Sequence, residues 1–246
     1  MTANVGAALA SKGKKVILLE GDPNHPLQKI LGVDIGPNDI KLDEVVKNGL
    51  EIKKATYSTE VSNLSLIPSG ISLQDYLDID PVGFAKKLSD LKADFMFIDV
   101  PFPLGKAAFL SLGICEYFII ILTEDEFVLC VESAIDTIRM GKYFLQCTPL
   151  GFVLNRIKTP ERLDDEFVRD LENLLDIPCI ARIMEDSRIS KSYGEVNSRK
   201  AFLAYKEFSR SEFSKGISEI ANWLLGELPT PKKESAVELI RKVMKL

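Results

Sequence analysis

Acidic side chains stand at the ends of two apolar runs in this chain. Glu20 and Asp22 close the run VILLEGD, and Asp99 closes the run FMFID. A carboxylate in the position of Asp99 can support Mg²⁺ through water while the metal bridges nucleotide phosphates. Two carboxylates spaced like Glu20 and Asp22 can position an attacking water or ligate a metal. The alternative is structural: Asp99 is a helix cap or a solvated strand end, and Asp22 caps a helix over 24–32.

A third apolar run, GFVL, is followed by Asn155 and Arg156, and Thr123 ends a fourth, FIIILT. The Asn side chain carries a donor beside an acceptor, which suits the edge of an adenine base. An ordinary polar turn is the alternative interpretation. Ligands of open parallel sheets bind at the carboxyl ends of the strands. The placement of these residues at several strand ends therefore favours one shared site.

The elements that carry these residues alternate along the chain. Buried strands are predicted for the β-rich apolar segments VILLE, LSLIPSG, FMFIDVP, FIIILT, GFVLNRI and PCIARIM. Helical patterns lie at 24–32, 40–49, 81–92, 105–113, 126–142, 160–175 and 207–226. Such alternation is typical of βαβ units and predicts an α/β fold, a mostly parallel sheet with helices on both faces.

Composition argues against several classes of protein. A length of 246 residues fits one large domain or two small ones, and 46% hydrophobic content is ordinary for a globular protein. The net charge of −5 argues against DNA binding by the whole surface. The four cysteines form no CxxC pair, which argues against a zinc or iron–sulfur site within one chain. No apolar stretch approaches the roughly 20 residues of a membrane span.

Five segments together resemble the MinD/ParA family of P-loop ATPases, and its MinD-like branch most. TANVGAALASKGKKVILLEGDP resembles the stretch that runs from the family's phosphate loop to its first switch. LSLIPSGISLQDYLDIDP resembles its Pro-x-Gly segment, and DFMFIDVPFPLG its Walker B strand and second switch. GFVLNRI resembles its adenine-side Asn-Arg, and IPCIARIMED its closing strand and Pro-Glu-Asp loop.

This resemblance implies roles for individual residues, together with ATP and Mg²⁺ as cofactors. Asp22 matches the switch Asp that orients the attacking water, and Glu20 stands two residues earlier, where the family usually has Asp. Asp99 matches the Walker B Asp that supports Mg²⁺. Gly105 matches the glycine of the second switch. The residues that match the surroundings of the adenine base are Asn155, Arg156, Glu185 and Asp186.

One family motif is missing from the 246 residues. The KGGxGKT[ST] phosphate loop would end immediately before Met1, and the strand that feeds it is an interior strand of the family's sheet. Either Met1 is an internal methionine or the chain is a shortened pseudo-ATPase. We favour the first, because residues 1–12 contain no helix start signal. We therefore expect a sheet without its first interior strand, with a slot bordered by Asp99 and Asp22.

The last residues read AVELIRKVMKL and follow the Pro-bearing stretch GELPTPKKES. Apolar residues fill one half of the helical wheel and Lys, Arg and Glu the other, as in helices that lie in a membrane interface. Packing on the chain's own domain is the alternative. We expect a nucleotide-binding domain over 1–227, followed by a linker and this helix over 228–246.

Two functions from different classes remain open. The resemblance implies an ATPase switch that forms a homodimer on ATP binding, and that positions a cargo or regulatory protein on a membrane or other surface. A membrane contact would use residues 235–246, and the location would be cytoplasmic, peripheral at the inner membrane face. The alternative is a non-enzymatic pseudo-ATPase scaffold of the same fold. A DNA-partitioning role is disfavoured by the sequence pI of about 5.2.

Overall fold

The computed structural model describes residues 1–21, 26–70, 81–100, 105–194, 201–226 and 228. Asp22 and the segment 235–246 lie outside these described residues. The chain divides into two compact units. The first comprises Met1–Ser111 and Arg188–Glu207, and the second comprises Leu112–Ser187 and the chain from Phe208 onwards.

The helices and strands alternate as the sequence predicts. In chain order, the first part contains α1 (Thr2–Ser11), β1 (Val16–Glu20), α2 (Pro26–Leu31), α3 (Leu42–Lys47), β2 (Tyr57–Ser58), β3 (Leu64–Ile67), α4 (Pro81–Ser89), β4 (Phe95–Asp99) and α5 (Lys106–Ile114). The second part contains β5 (Tyr117–Thr123), α6 (Phe127–Arg139), β6 (Thr148–Ile157), α7 (Asp165–Leu175), β7 (Cys179–Met184), α8 (Ser187–Gly194), α9 (Ala204–Glu207) and α10 (Glu212–Gly226). A π-helical turn over Met140–Leu145 follows α6 directly.

The first unit contains a four-stranded sheet in the order β2-β3-β1-β4. Strand β1 is buried along its whole length and pairs in parallel with β3 and β4, while β2 alone runs antiparallel. Helix α1 packs closely on β1 at Gly6, where an added Cβ would lie 2.9 Å from a methyl group of Leu18. Buried Asn4 fixes α1 to residues far along the chain: it donates to the Tyr193 hydroxyl at 2.8 Å and accepts from the Tyr205 N–H at 2.9 Å.

The second unit contains a three-stranded parallel sheet in the order β5-β6-β7. Its main core lies between the sheet and helices α6 and α7, where buried Leu122, Phe152 and Leu154 pack with apolar residues of both helices. Successive side chains of a strand point to opposite faces. Met184 therefore packs against this core, while its neighbour Ile183 contacts α10 on the other face. Helices thus cover both faces of this sheet.

The predicted fold class is confirmed, and each predicted strand lies within one observed strand or overlaps it. The two-residue strand β2 and the helices α8 and α9 were not predicted. Strand β2 and α9 are too short to show hydrophobic periodicity, and α8, SRISKSYG, is mostly polar. Among the described strands, β4 pairs with β1 alone and β5 with β6 alone. The expected slot for a further strand stays a prediction.

In the described part of the chain, no helix combines the length and the apolar character needed to cross a bilayer.

Substituting Gly216 in α10 tests the packing of this helix on β7. Ala normally favours a helix over Gly by up to about 1 kcal/mol. Here an added Cβ would lie 2.6 Å from Cγ1 of Ile183, and such overpacking costs about 1–3 kcal/mol. We expect Gly216→Ala to lower the free energy of unfolding by about 1 kcal/mol or more in urea denaturation.

Gly226, at the end of the same helix, is the matched control. Apart from its chain neighbours and its own helix backbone, no described residue has a heavy atom within 4 Å of the position that a Cβ on Gly226 would occupy. Gly226→Ala should therefore leave stability unchanged or slightly raised. Equal stability of the two variants would contradict the packing of α10 against Ile183.

Candidate nucleotide site

Asp99 lies at the carboxyl end of β4, in register with Glu20 at the end of β1. Its carboxylate accepts a hydrogen bond of 2.5 Å from the hydroxyl of Thr2, the first residue of α1. The N–H of Gly21 donates to the Asp99 carbonyl at 2.8 Å. Only glycine permits this approach, because a Cβ on residue 21 would lie 2.5 Å from that carbonyl oxygen. A hydroxyl and a carboxylate therefore meet at the carboxyl edge of the sheet.

The hydroxyl oxygen of Thr2 and the carboxylate oxygens of Asp99 suit Mg²⁺, because this ion prefers oxygen ligands and usually retains several waters. The described residues contain no group of three or more His, Cys, Asp or Glu that could enclose a metal alone. A metal held mainly by water and phosphate oxygens, with one carboxylate in support, fits the residues present. Thr2 was not predicted as a site residue, although it lies at the start of a helix beside the expected phosphate site.

Glu20 is completely buried, and its described hydrogen bonds go to helix α2. The carboxylate accepts from the Leu27 N–H at 2.8 Å, the Gln28 N–H at 3.2 Å and the Gln28 side-chain amide at 2.8 Å. Pro26 precedes these donors as the first helical residue and has no N–H of its own. Glu20 thus caps α2, the role that the sequence alternative assigned to Asp22. A catalytic role for either residue stays a prediction.

The carboxyl ends of β5, β6 and β7 carry a group of charged side chains that we call the strand-end cluster: Glu124, Asp125, Arg156, Lys158 and Glu185. One Arg156 nitrogen lies 3.1 Å from both Asp125 and Glu185. Lys158 forms an ion pair with Asp125 and lies 3.9 Å from Glu185. Glu124 accepts from the N–H of Lys158 at 2.5 Å and of Thr159 at 3.0 Å.

The structure brings together the four residues that sequence analysis assigned to the adenine base. Asn155 is half-buried on β6, in register with Thr123 of β5. Arg156 contacts Glu185, whose N–H donates to the Ile157 carbonyl at 2.9 Å, and Asp186 follows directly. Gly105, assigned to the second switch, is exposed, and its carbonyl accepts from the Phe109 N–H within α5.

Hydrogen bonding between Asp125 and Lys158 holds the pKa of Asp125 below its ordinary value and raises the pKa of Lys158. Both groups are therefore charged at neutral pH. Because the folded-state pKa of Asp125 is depressed, its contribution to stability is present above the ordinary pKa and is lost as pH falls through the folded-state pKa.

Three of the four cysteines are poor nucleophiles at neutral pH. All four are free thiols. Burial raises the pKa of Cys115 to about 12, and burial also raises the pKa of Cys147 and of Cys179. These three thiols are therefore protonated at neutral pH, and a protonated thiol is a poor nucleophile.

Known proteins resemble this chain in both sequence and fold. A family model described as an AAA domain matches residues 1–140. The uncharacterized ATP-binding protein MJ0924 of Methanocaldococcus jannaschii is 33% identical over 246 residues, which cover 99% of this chain and 89% of that protein. The septum site-determining protein MinD of Pyrococcus horikoshii, solved in complex with Mg-ADP, matches with a TM-score of 0.74 and 26% identity over 91% of this chain and 88% of its own.

A more distant relative is the maintenance of carboxysome distribution protein A of Synechococcus elongatus. It is 28% identical over 124 residues, covering 47% of this chain and 49% of the relative. The fold and the oxygen-rich strand ends define an α/β nucleotide-binding protein of the P-loop NTPase type. The chain belongs to the MinD/ParA family of P-loop ATPases.

Replacing Glu20 distinguishes its capping role from a catalytic one. Loss of a side-chain cap costs about 0.5–2 kcal/mol, and an unpaired buried donor costs about 1–3 kcal/mol. We expect Glu20→Ala to lower the free energy of unfolding by about 2 kcal/mol and to speed amide exchange at Leu27 and Gln28.

The control for this measurement is Gln28→Ala, which removes one side-chain donor and leaves both backbone bonds to Glu20 in place. It should be the milder of the two substitutions. If Glu20→Ala left stability and amide exchange unchanged but reduced ATP turnover, Glu20 would be catalytic instead of structural.

Proposed function

We propose that this protein is an ATP-dependent molecular switch that dimerises on binding ATP and positions partner proteins on a membrane or other surface. The observation that carries this proposal is the Thr2–Asp99 pair at the carboxyl end of β4, in a chain whose fold matches that of MinD. A carboxylate and a hydroxyl at this edge of a parallel sheet form the metal-supporting part of a phosphate site.

The proposed division of roles follows the positions of the side chains. Asp99 and Thr2 would hold Mg²⁺, and bound Mg²⁺ would neutralise charge on the nucleotide phosphates. Asp22 would orient the attacking water, and Gly105 would belong to the second switch. Asn155 would read the adenine edge, with the neighbouring Arg156, Glu185 and Asp186 forming the wall beside the base.

Phosphate binding needs one further component. A nest of backbone N–H groups and a lysine normally cradle the β- and γ-phosphates, and no GxxxxGK[ST] run occurs in the 246 residues. Carboxylates and an adenine contact do not replace that nest, because like charges repel. We therefore propose that these residues alone bind ATP weakly or not at all. A pseudo-ATPase scaffold is the alternative function under this condition.

An exposed apolar surface on α6 and the following turn supports binding of a partner protein. Val128 and Leu129 near the start of α6 are 69% and 57% exposed, and Tyr143 and Phe144 after its end are 70% and 69% exposed. These side chains form two exposed apolar pairs, one near each end of this helical segment. Exposed apolar side chains of this size are available for contacts with a partner. The buried side of the same helix packs on the sheet through Ala134 and Ile138.

Calorimetric titration with Mg-ATP tests the enzymatic proposal. Two forms are compared: the 246 residues alone, and the same residues preceded by the strand and phosphate loop of a MinD protein. We expect micromolar binding, on the order of −8 kcal/mol, from the extended form only. In that form Asp22→Ala should abolish most ATP turnover with binding retained, and Asp99→Asn should remove the dependence of binding on Mg²⁺.

Asp176→Asn is the control, because it makes the same change of charge at an exposed helix end. It should leave binding and turnover unchanged. Micromolar binding by the 246 residues alone would overturn the need for the loop. An extended form that binds no Mg-ATP would favour the scaffold. Equal ATP turnover in the extended form with and without Asp22→Ala would overturn the proposed role of Asp22.

Liposome co-sedimentation tests the surface on which the switch acts. A basic amphipathic segment binds anionic lipid through its charges and its apolar face. We expect sedimentation to rise with the anionic lipid fraction, and to fall when residues 235–246 are removed or when Ile240→Glu is introduced. Equal sedimentation of the full and shortened chains would instead support packing of this segment on the protein.

A further inference from the structure

The strand-end cluster contains three residues to which neither the sequence motifs nor the proposed function assigns a role: Glu124, Asp125 and Lys158. They link the chain that leaves β5 to the chain that leaves β6. Asp125 contacts both Arg156 and Lys158, and Glu124 accepts the backbone N–H groups of Lys158 and Thr159. These contacts surround a bulged turn within the end of β6, where the pairing with β7 shifts register between Leu154 and Ile157.

Arg156 has an unusual backbone conformation at the centre of this turn. Its φ is +58°, in the left-handed region. For a residue with a Cβ this conformation is disfavoured, and it persists only where the surroundings fix it. Two sets of contacts do so here. The Arg156 side chain is held between Asp125 and Glu185, and the backbone just beyond is held by Glu124.

The direction of the Asn155 side chain depends on this turn, because Asn155 precedes the left-handed residue directly. An amide reads the edge of a base only if its donor and acceptor face the matching groups. A shift of about 0.5 Å or 10–20° is enough to spoil such a contact. Fixing the turn therefore fixes which base the site accepts.

Stability alone does not account for the cluster. The side chains of Arg156 and Asp125 are 49% and 36% exposed, and ion pairs between exposed side chains contribute little to stability. Stabilising the fold is therefore not the main effect of these ion pairs. Their contacts converge on one strained turn, which is the arrangement expected of groups that set the geometry of a binding residue.

We infer that Glu124, Asp125 and Lys158 are positioning residues that make the nucleotide site selective for adenine over guanine. This inference rests on the proposed function, since it concerns the base of the same nucleotide. Asp125 and Lys158 act through Arg156 and Glu185, and Glu124 acts through the backbone after Arg156. None of the three needs to touch the base.

The test is the ratio of the Kd values for GDP and ADP, measured with Mg²⁺ on the form of the chain that binds Mg-ATP in the titration above. We expect the unsubstituted protein to prefer ADP by about tenfold or more, which corresponds to about 1.4 kcal/mol. Asp125→Asn and Lys158→Met should each reduce this ratio to below about threefold, with the urea midpoint unchanged because the pairs are exposed.

Two further variants separate geometry from general loss of charge or of structure. Lys158→Arg keeps the cation and should keep the ratio. Asp165→Asn breaks an ion pair of 2.8 Å with Arg182 elsewhere in the same unit, and it should also keep the ratio. Equal loss in Lys158→Arg and Lys158→Met, or equal loss in Asp165→Asn, would overturn the inference.

The outcomes also separate this inference from the proposed function. Tight ADP binding with an unchanged base preference in Asp125→Asn and Lys158→Met would overturn the positioning role and leave the nucleotide switch standing. Absence of Mg-ATP binding in every form would overturn both. If Asp125→Asn and Lys158→Met lowered the urea midpoint as well as the ratio of Kd values, the cluster would be structural and the inference would be overturned.

Discussion

Parallel pairing of strands is the constraint on which every proposed functional contact depends. In a parallel sheet all strands end at one edge, so residues far apart in the chain meet there without any local motif. Register then decides which of them are neighbours. The pairing of β1 with β4 places Glu20 beside Asp99, and the pairing of β5 with β6 places Thr123 beside Asn155. The hydrophobic strands β1 and β6 hold these registers because their inner residues are buried.

Glu20 and Asp99 both end apolar runs in the sequence, but they differ in burial and therefore in role. A buried carboxylate is costly unless hydrogen-bond donors surround it. Glu20 is fully buried, and α2 supplies three donors to it. Asp99 is half-buried at the end of an edge strand, within reach of the Thr2 hydroxyl. The first carboxylate is thereby committed to the fold, while the second lies where a ligand can approach.

Residues that stabilise the fold and residues that lie at the proposed site are also distinct in the sheet of β5, β6 and β7. The apolar core beneath α6 and α7 holds this sheet together, with residues such as Phe152 and Leu154 fully excluded from water. Of the charged side chains above it, Asp125, Arg156 and Lys158 are exposed and Glu124 and Glu185 are half-buried. Ion pairs at such a surface add little to stability. Their contacts instead lie around Arg156, whose backbone is in the left-handed region. Strain that a site maintains in this way is a common mark of function, and it lies beside the residue proposed to read the base.

Several features of this protein follow from its sequence alone. Apolar runs and helical periodicity predicted the α/β fold and its strands, because these segments are long and regular. The motif order identified the family, and the ends of the apolar runs pointed to Asp99, Asn155 and Arg156. Glu185 was implied by the family resemblance. Each of these signals is local, so the neighbouring residues suffice to show it.

Other features were decided only by the tertiary structure. The capping of α2 by Glu20, the Thr2–Asp99 bond and the hydrogen bonds of Asn4 to Tyr193 and Tyr205 join segments that sequence periodicity does not relate. The same is true of the strand-end cluster, whose members come from three chain segments. The short elements β2, α8 and α9 were also missed, because they form where neighbouring elements hold them and not by their own propensity. The sequence gives the type of each side chain, but its contacts are determined by packing, which depends on the whole chain.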